Sequence, residues 1–86
     1  MTFDAFRLLS PRAQLLVVLL EGTYLAQRWE DENGFNLYYL PDEARGFFAE
    51  VGIDEAQDCF VVLRSFSSPV PLADYAQGMQ LPEEWV

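Results

Sequence analysis

The chain has 86 residues, 51% hydrophobic and 15% aromatic, enough for one domain to bury a core without a metal or disulfide staple. Against 14 Asp and Glu stand five Arg, with no Lys and no His, for a net charge of −9. This inventory excludes imidazole acid/base chemistry and His-ligated metals. It also argues against direct nucleic-acid binding and contact with anionic membranes, since phosphates are met by clustered cations and these Arg are dispersed.

Thr2 caps a first short helical turn carrying Phe3, Phe6 and Leu9. Ser10 before Pro11 reads as a second N-cap with proline at the first helical position, where its missing N–H costs nothing. From there Ala13, Leu15, Leu16, Leu19 and Leu20 recur at helical spacing, Val17 and Val18 widen the stripe, and Gly22 suits the C′ position. A stripe this broad predicts burial on more than one side. The run Leu15 to Leu20 falls far short of the roughly 20 residues that span a bilayer. Glu21 and Gly22 end it with no cleavage pattern, so neither a signal peptide nor a membrane span is expected.

After Gly22 the hydrophobic period changes to two. Thr23 to Glu30 and Phe35 to Leu40 are predicted strands joined through Asp31-Glu32-Asn33-Gly34, in which Asn-Gly is the strongest local hairpin signal. Pro41 to Gly46 is a loop. Phe47 to Ile53 and Cys59 to Phe66 are two further strands, joined by the acidic turn Asp54 to Asp58. Three short links in succession favour an antiparallel meander. Ser67, Ser68, Pro69 and Pro71 end the sheet, Leu72 to Gln77 reads as a short helix closed by Gly78, and the chain ends with Trp85 and Val86. The expected fold is therefore α+β: an N-terminal helix packed on a four-stranded antiparallel meander, with a short C-terminal helix, in one domain covering residues 1–86.

Strict alternation places Tyr24, Ala26, Arg28, Phe35, Leu37 and Tyr39 on one sheet face and Leu25, Trp29, Tyr38 and Leu40 on the other. In the later strands Phe47, Ala49, Val51 and Ile53 oppose Phe48, Glu50 and Gly52, while Phe60, Val62, Arg64 and Phe66 share one side. Both faces are apolar, so both should be covered, either by the chain's own termini or by a second copy or partner.

Among candidate sites, the acidic groups Glu30-Asp31-Glu32, Asp42-Glu43 and Asp54-Glu55 with Asp58 fit no metal loop and read as solvated turns. Arg28, Glu50 and Arg64 interrupt otherwise apolar strands. They form either a cross-strand ion pair, Glu50 with Arg64, or an anion clamp beside a carboxylate. Cys59 lacks an imidazole to activate it and reads as a buried, inert thiol; a single cysteine also suits a reducing cytoplasm. Tyr24, Tyr38, Tyr39 and Tyr75 suit a core, whereas Trp29 and Trp85 suit an interface. The residues through which the sheet can dock are Trp29, Tyr38, Phe48, Phe60, Phe66 and Trp85. No cofactor motif is present.

The runs Gly22-Thr23-Tyr24-Leu25-Ala26-Gln27-Arg28, Asn36-Leu37-Tyr38-Tyr39-Leu40, Phe47-Phe48-Ala49-Glu50-Val51, Leu63-Arg64-Ser65-Phe66 and Leu72-Ala73-Asp74-Tyr75 resemble a pattern in small uncharacterised bacterial proteins. The resemblance implies the same helix, meander, helix order. It carries over no catalytic residue, and the Pro41 to Gly46 loop and the acidic turn after Ile53 depart from it. The function expected is that of a non-catalytic cytoplasmic interaction protein, working as a homodimer or with a protein partner through an aromatic sheet face. Two rivals stand beside it: an acidic, antitoxin-like inhibitor seated on a basic nucleic-acid-binding surface, and a small ligand-binding domain or enzyme using Glu50, Arg28 and Arg64.

Overall fold

The structure is a computed structural model that describes residues 1–42 and 45–68. Two helices precede four strands: α1 (Phe3–Arg7), α2 (Pro11–Glu21), β1 (Thr23–Glu30), β2 (Asn33–Leu40), β3 (Phe47–Asp54) and β4 (Cys59–Phe66). The strands form one antiparallel sheet in the order β1-β2-β3-β4, so the α+β meander is as the sequence predicts. The expected helix at Leu72 to Gln77, Tyr75 and Trp85 lie outside the described residues.

Both helices begin at hydroxyl caps. Thr2 Oγ1 accepts from the Ala5 amide at 3.1 Å, and Ser10 Oγ accepts from the Ala13 amide at 3.2 Å. The Gln14 side chain donates to the Phe6 carbonyl at 3.0 Å and so ties α2 to α1. Gly22 departs from expectation: its backbone is extended (φ −79°, ψ 152°), because the chain runs directly from helix into strand without a left-handed cap.

Two β-bulges decide which side chains share a face. In β1 the pairing passes from Tyr24↔Tyr38 to Ala26↔Leu37, so Leu25 is an extra residue. Leu25 and Ala26 therefore both pack beside Leu37, Tyr39, Phe48 and Phe66, and Tyr24 turns to the opposite face, edge-on to Tyr38 at 5.8 Å. In β4 the pairing jumps from Glu50↔Arg64 to Val51↔Val62, leaving Leu63 extra. Arg64 and Phe66 thus lie on the side opposite Phe60 and Val62, against the expectation of a common face. The hairpin also turns one step early. Glu30 pairs with Asn33 across a two-residue loop, Asp31-Glu32, with Asp31 left-handed (φ 57°), and Asn33-Gly34 belongs to β2.

One face carries the helices. Phe6 and Val18 bury themselves against Leu40, Phe47, Ala49 and Val51, with Phe3 and Phe6 rings 5.3 and 5.1 Å from Phe47. The other face carries Leu37, Tyr39, Phe48 and Phe66, with Phe48 stacked on Phe66 at 5.5 Å. Phe47 and Phe48 are both fully buried, so β3 is the spine of the domain. The broad stripe of α2 is used on one side alone: Val18 is buried, while Leu16, Leu19 and Leu20 are exposed.

The corner between β2 and β3 depends on Gly46. Its backbone is left-handed (φ 85°) and its amide donates to Asp42 Oδ1 at 2.9 Å. The Tyr39 hydroxyl donates to the Arg45 carbonyl at 2.9 Å, and a Cβ on Gly46 would strike that hydroxyl and its ring. Gly46→Ala combines left-handed strain with overpacking and should cost about 2 to 5 kcal/mol. Urea unfolding should show this as a lower midpoint at unchanged slope.

Candidate functional site

Glu50 stands mid-strand in β3 and is 2% exposed, the sole buried charge among the described residues. Register brings Arg64 directly opposite it on β4 and Leu37 opposite it on β2. Arg64 donates through Nε to Oε1 (3.2 Å) and through Nη2 to Oε2 (3.1 Å), a two-pronged pair. Arg28 reaches the same carboxylate from β1, two strands away, through Nε to Oε2 (3.3 Å) and Nη2 to Oε1 (3.4 Å). Its guanidinium lies 4.4 Å from the centre of the Phe35 ring on the intervening strand, which serves as a platform for the long reach. Glu30 then takes Arg28 Nη1 at 3.0 Å on the outer side.

A carboxylate offers about four acceptor directions. Four guanidinium N–H groups occupy those of Glu50. Among the described residues no buried side-chain polar atom lacks a partner. The arrangement is what a β-sheet needs in order to keep a charge in its interior, since an ion withdrawn from water costs several kcal/mol unless closely paired. The cross-strand pair of Glu50 with Arg64 is present as expected. Arg28, expected with Arg64 as a clamp for an external anion beside Glu50, instead bonds the Glu50 carboxylate itself, reaching it across the intervening strand.

The expected docking residues divide. Phe48 has no exposed surface and Phe66 is 9% exposed, so these two are core side chains and not surface anchors. The Leu63 bulge, which turns Phe66 onto the Phe48 side, is the reason for the second. Tyr38 is half-buried beneath α2. Trp29 (66% exposed) and Phe60 (53%) remain on the surface, joined by Ile53. Tyr24, expected in the core, is exposed as a consequence of the Leu25 bulge. Cys59, expected buried, is exposed at the start of β4, with Sγ 3.9 Å from Gln57 Oε1.

Trp29, Ile53 and Phe60 lie on the helix-bearing face at the end that α2 leaves uncovered. They line one cavity of about 230 Å³ with Gln27, Glu32, Asn33, Gly34 and Asn36. A second, of about 250 Å³, runs between α2 and the sheet and is lined by Leu15, Leu19, Asn36, Tyr38, Val51 and Phe60. Asn36 and Phe60 belong to both, so the two form one continuous strip whose apolar side chains are bordered at the turn end by Gln27, Glu32 and Asn33. Among the described residues no group of three or more Cys, Asp or Glu side chains is placed to hold a metal ion, and no helix is long and apolar enough to cross a membrane. No protein-family model, curated protein or solved structure matches the chain.

Removing one member of a buried ion cluster leaves the rest uncompensated, so Glu50→Ala should cost about 3 to 5 kcal/mol. Arg64→Ala should cost less, because its side chain is 38% exposed and solvent screens it. Replacing all three together with Met, Leu and Met should recover stability to within about 1 kcal/mol of the parent. Chemical denaturation checks the order; a Glu50→Ala loss no larger than that of Arg64→Ala contradicts it.

Proposed function

We propose that this chain is a non-catalytic, cytoplasmic protein-interaction domain, and that its contact surface is the apolar strip of Trp29, Ile53 and Phe60 continuing along α2. The observation that carries the reading is the exposure of these three large side chains side by side around one cavity at the turn end of the helix-bearing face. Large aromatic residues on rigid strands lose little entropy when covered, and they supply most of the free energy at protein interfaces. Leu19, which lines the groove beside the sheet, and Leu16 and Leu20 elsewhere on α2 are exposed and extend the apolar surface. A second copy or a different protein can occupy it.

The ligand-binding or enzymatic rival draws little support from the same geometry. Its three residues spend their hydrogen bonds on one another, so recruiting Glu50 as a base or Arg28 as an anion clamp means breaking a buried ion cluster. The acidic-inhibitor rival relies on carboxylates alone and leaves the exposed rings without a role.

Trp29→Ala combined with Phe60→Ala removes surface side chains and should change stability by less than about 1 kcal/mol. If these rings are the centre of an interface, the double variant should bind its partner, or itself, at least about thirtyfold more weakly. Sedimentation velocity reads self-association, and capture from native extract compares the proteins retained by parent and variant. A parent that is monomeric at every concentration and retains the same proteins as the variant would falsify the proposal.

A further inference from the structure

The apolar strip ends between two acidic turns. Because the sheet is a meander, the β1–β2 turn and the β3–β4 turn emerge at the same end of it. The first carries Asp31 and Glu32, with Glu30 held by Arg28 on the reverse face; the second carries Asp54, Glu55 and Asp58. Two strand spacings separate the hairpins, about 10 Å, which is close to the Debye length at physiological ionic strength. Both turns therefore act on whatever covers Trp29 and Phe60. Arg12, at the start of α2, is the cation that borders this region, beside Gln57 and Phe60.

This distribution distinguishes between occupants. A second copy seated on the strip would bring its own acidic turns toward these, in a chain already at −9, and like charges juxtaposed at an interface oppose association. A cationic partner gains where a copy loses. The groove between α2 and the sheet accepts apolar side chains, and the turns beside it accept Lys or Arg.

We infer that the strip docks a basic amphipathic segment of another protein, with its apolar side chains on Trp29, Phe60 and the α2 groove and its cationic side chains against the two acidic turns. The inference rests on the interaction reading above and adds the chemistry of the partner. Binding is accordingly steered by charge and weakens with salt, while the apolar contact persists.

The test uses the full chain, labelled with ¹⁵N, and three synthetic peptides that share leucine and phenylalanine positions and carry Lys, Gln or Glu elsewhere. The Trp29 indole N–H, assigned with Trp29→Phe, reports docking. The Lys peptide should shift it with at least about tenfold higher affinity than the Gln peptide at low ionic strength, and the gap should close at about 0.5 M salt. Glu32→Gln with Glu55→Gln should weaken the Lys peptide about threefold or more, whereas Asp4→Asn with Glu21→Gln, at the far end of the domain, should leave it unchanged. Equal binding of Lys and Gln peptides, or equal loss in the two charge variants, overturns the basic partner while leaving the apolar interface standing. Dimers that dissociate on Trp29→Glu, with no peptide moving the indole, make a second copy the occupant and overturn the inference. Absence of both peptide binding and self-association overturns it together with the interaction reading.

Discussion

A carboxylate buried in the middle of a β-sheet constrains everything around it, and Glu50 does so across all four strands. Arg64 on β4 and Arg28 on β1 must lie on its face and at its level, and a slip of one residue in any strand would send a guanidinium to the opposite side. Aromatic rings flank the ion cluster on its own face: the Arg64 guanidinium lies 5.5 Å from the centre of the Phe66 ring, and that of Arg28 lies 4.4 Å from the centre of the Phe35 ring. A displaced register thus loses hydrogen bonds and strands a charge, a penalty much larger than the loss of one hydrophobic contact.

The two bulges reconcile this requirement with the helices. Without Leu63 as an extra residue, Phe60, Val62 and Arg64 would share a face, and either the arginine would enter the helix-packed side or the apolar pair would leave it. The bulge lets Val62 pack toward the helices while Arg64 meets Glu50 on the reverse. Leu63 itself is accommodated above Gly52, where a Cβ would come within 2.6 Å of its methyl carbon. Leu25 does the corresponding work in β1, keeping Arg28 in line and displacing Tyr24 to the surface.

What is left uncovered follows from dimensions. An 11-residue helix is about 16 Å long whereas an eight-residue strand runs about 27 Å, so α2 cannot cover the strands from end to end. The helix-bearing face is consequently closed around Phe47 and Val51 and open at Trp29, Ile53 and Phe60. The surface proposed for binding is a remainder of the packing and is bordered by the turns, where acidic residues meet the geometric demands of tight loops. Asp31 and Asp58 adopt left-handed backbone, and Asp54 accepts the amide of Ala56 at 3.0 Å.

The element order was legible because its signals are local: hydroxyl caps at Thr2 and Ser10, proline at the first turn of α2, and a period of two after Gly22. Strand limits at Thr23, Glu30, Cys59 and Phe66 follow from the same alternation and its breaks. The hairpin was misplaced by the strength of Asn-Gly, because Asp31 can also take the left-handed position. Face assignments failed where a bulge inserts a residue, since a bulge changes parity without altering the hydrophobic pattern that reveals the strand. Of the candidate site, the residues Glu50 and Arg64 could be paired from the sequence, while the reach of Arg28 across β2 and the burial of Phe66 could not. Composition and periodicity alone determined an acidic α+β meander with apolar side chains on both sheet faces. Tertiary packing alone decided which apolar side chains stay outside, because coverage depends on contacts between residues far apart in the chain, and no local pattern encodes them.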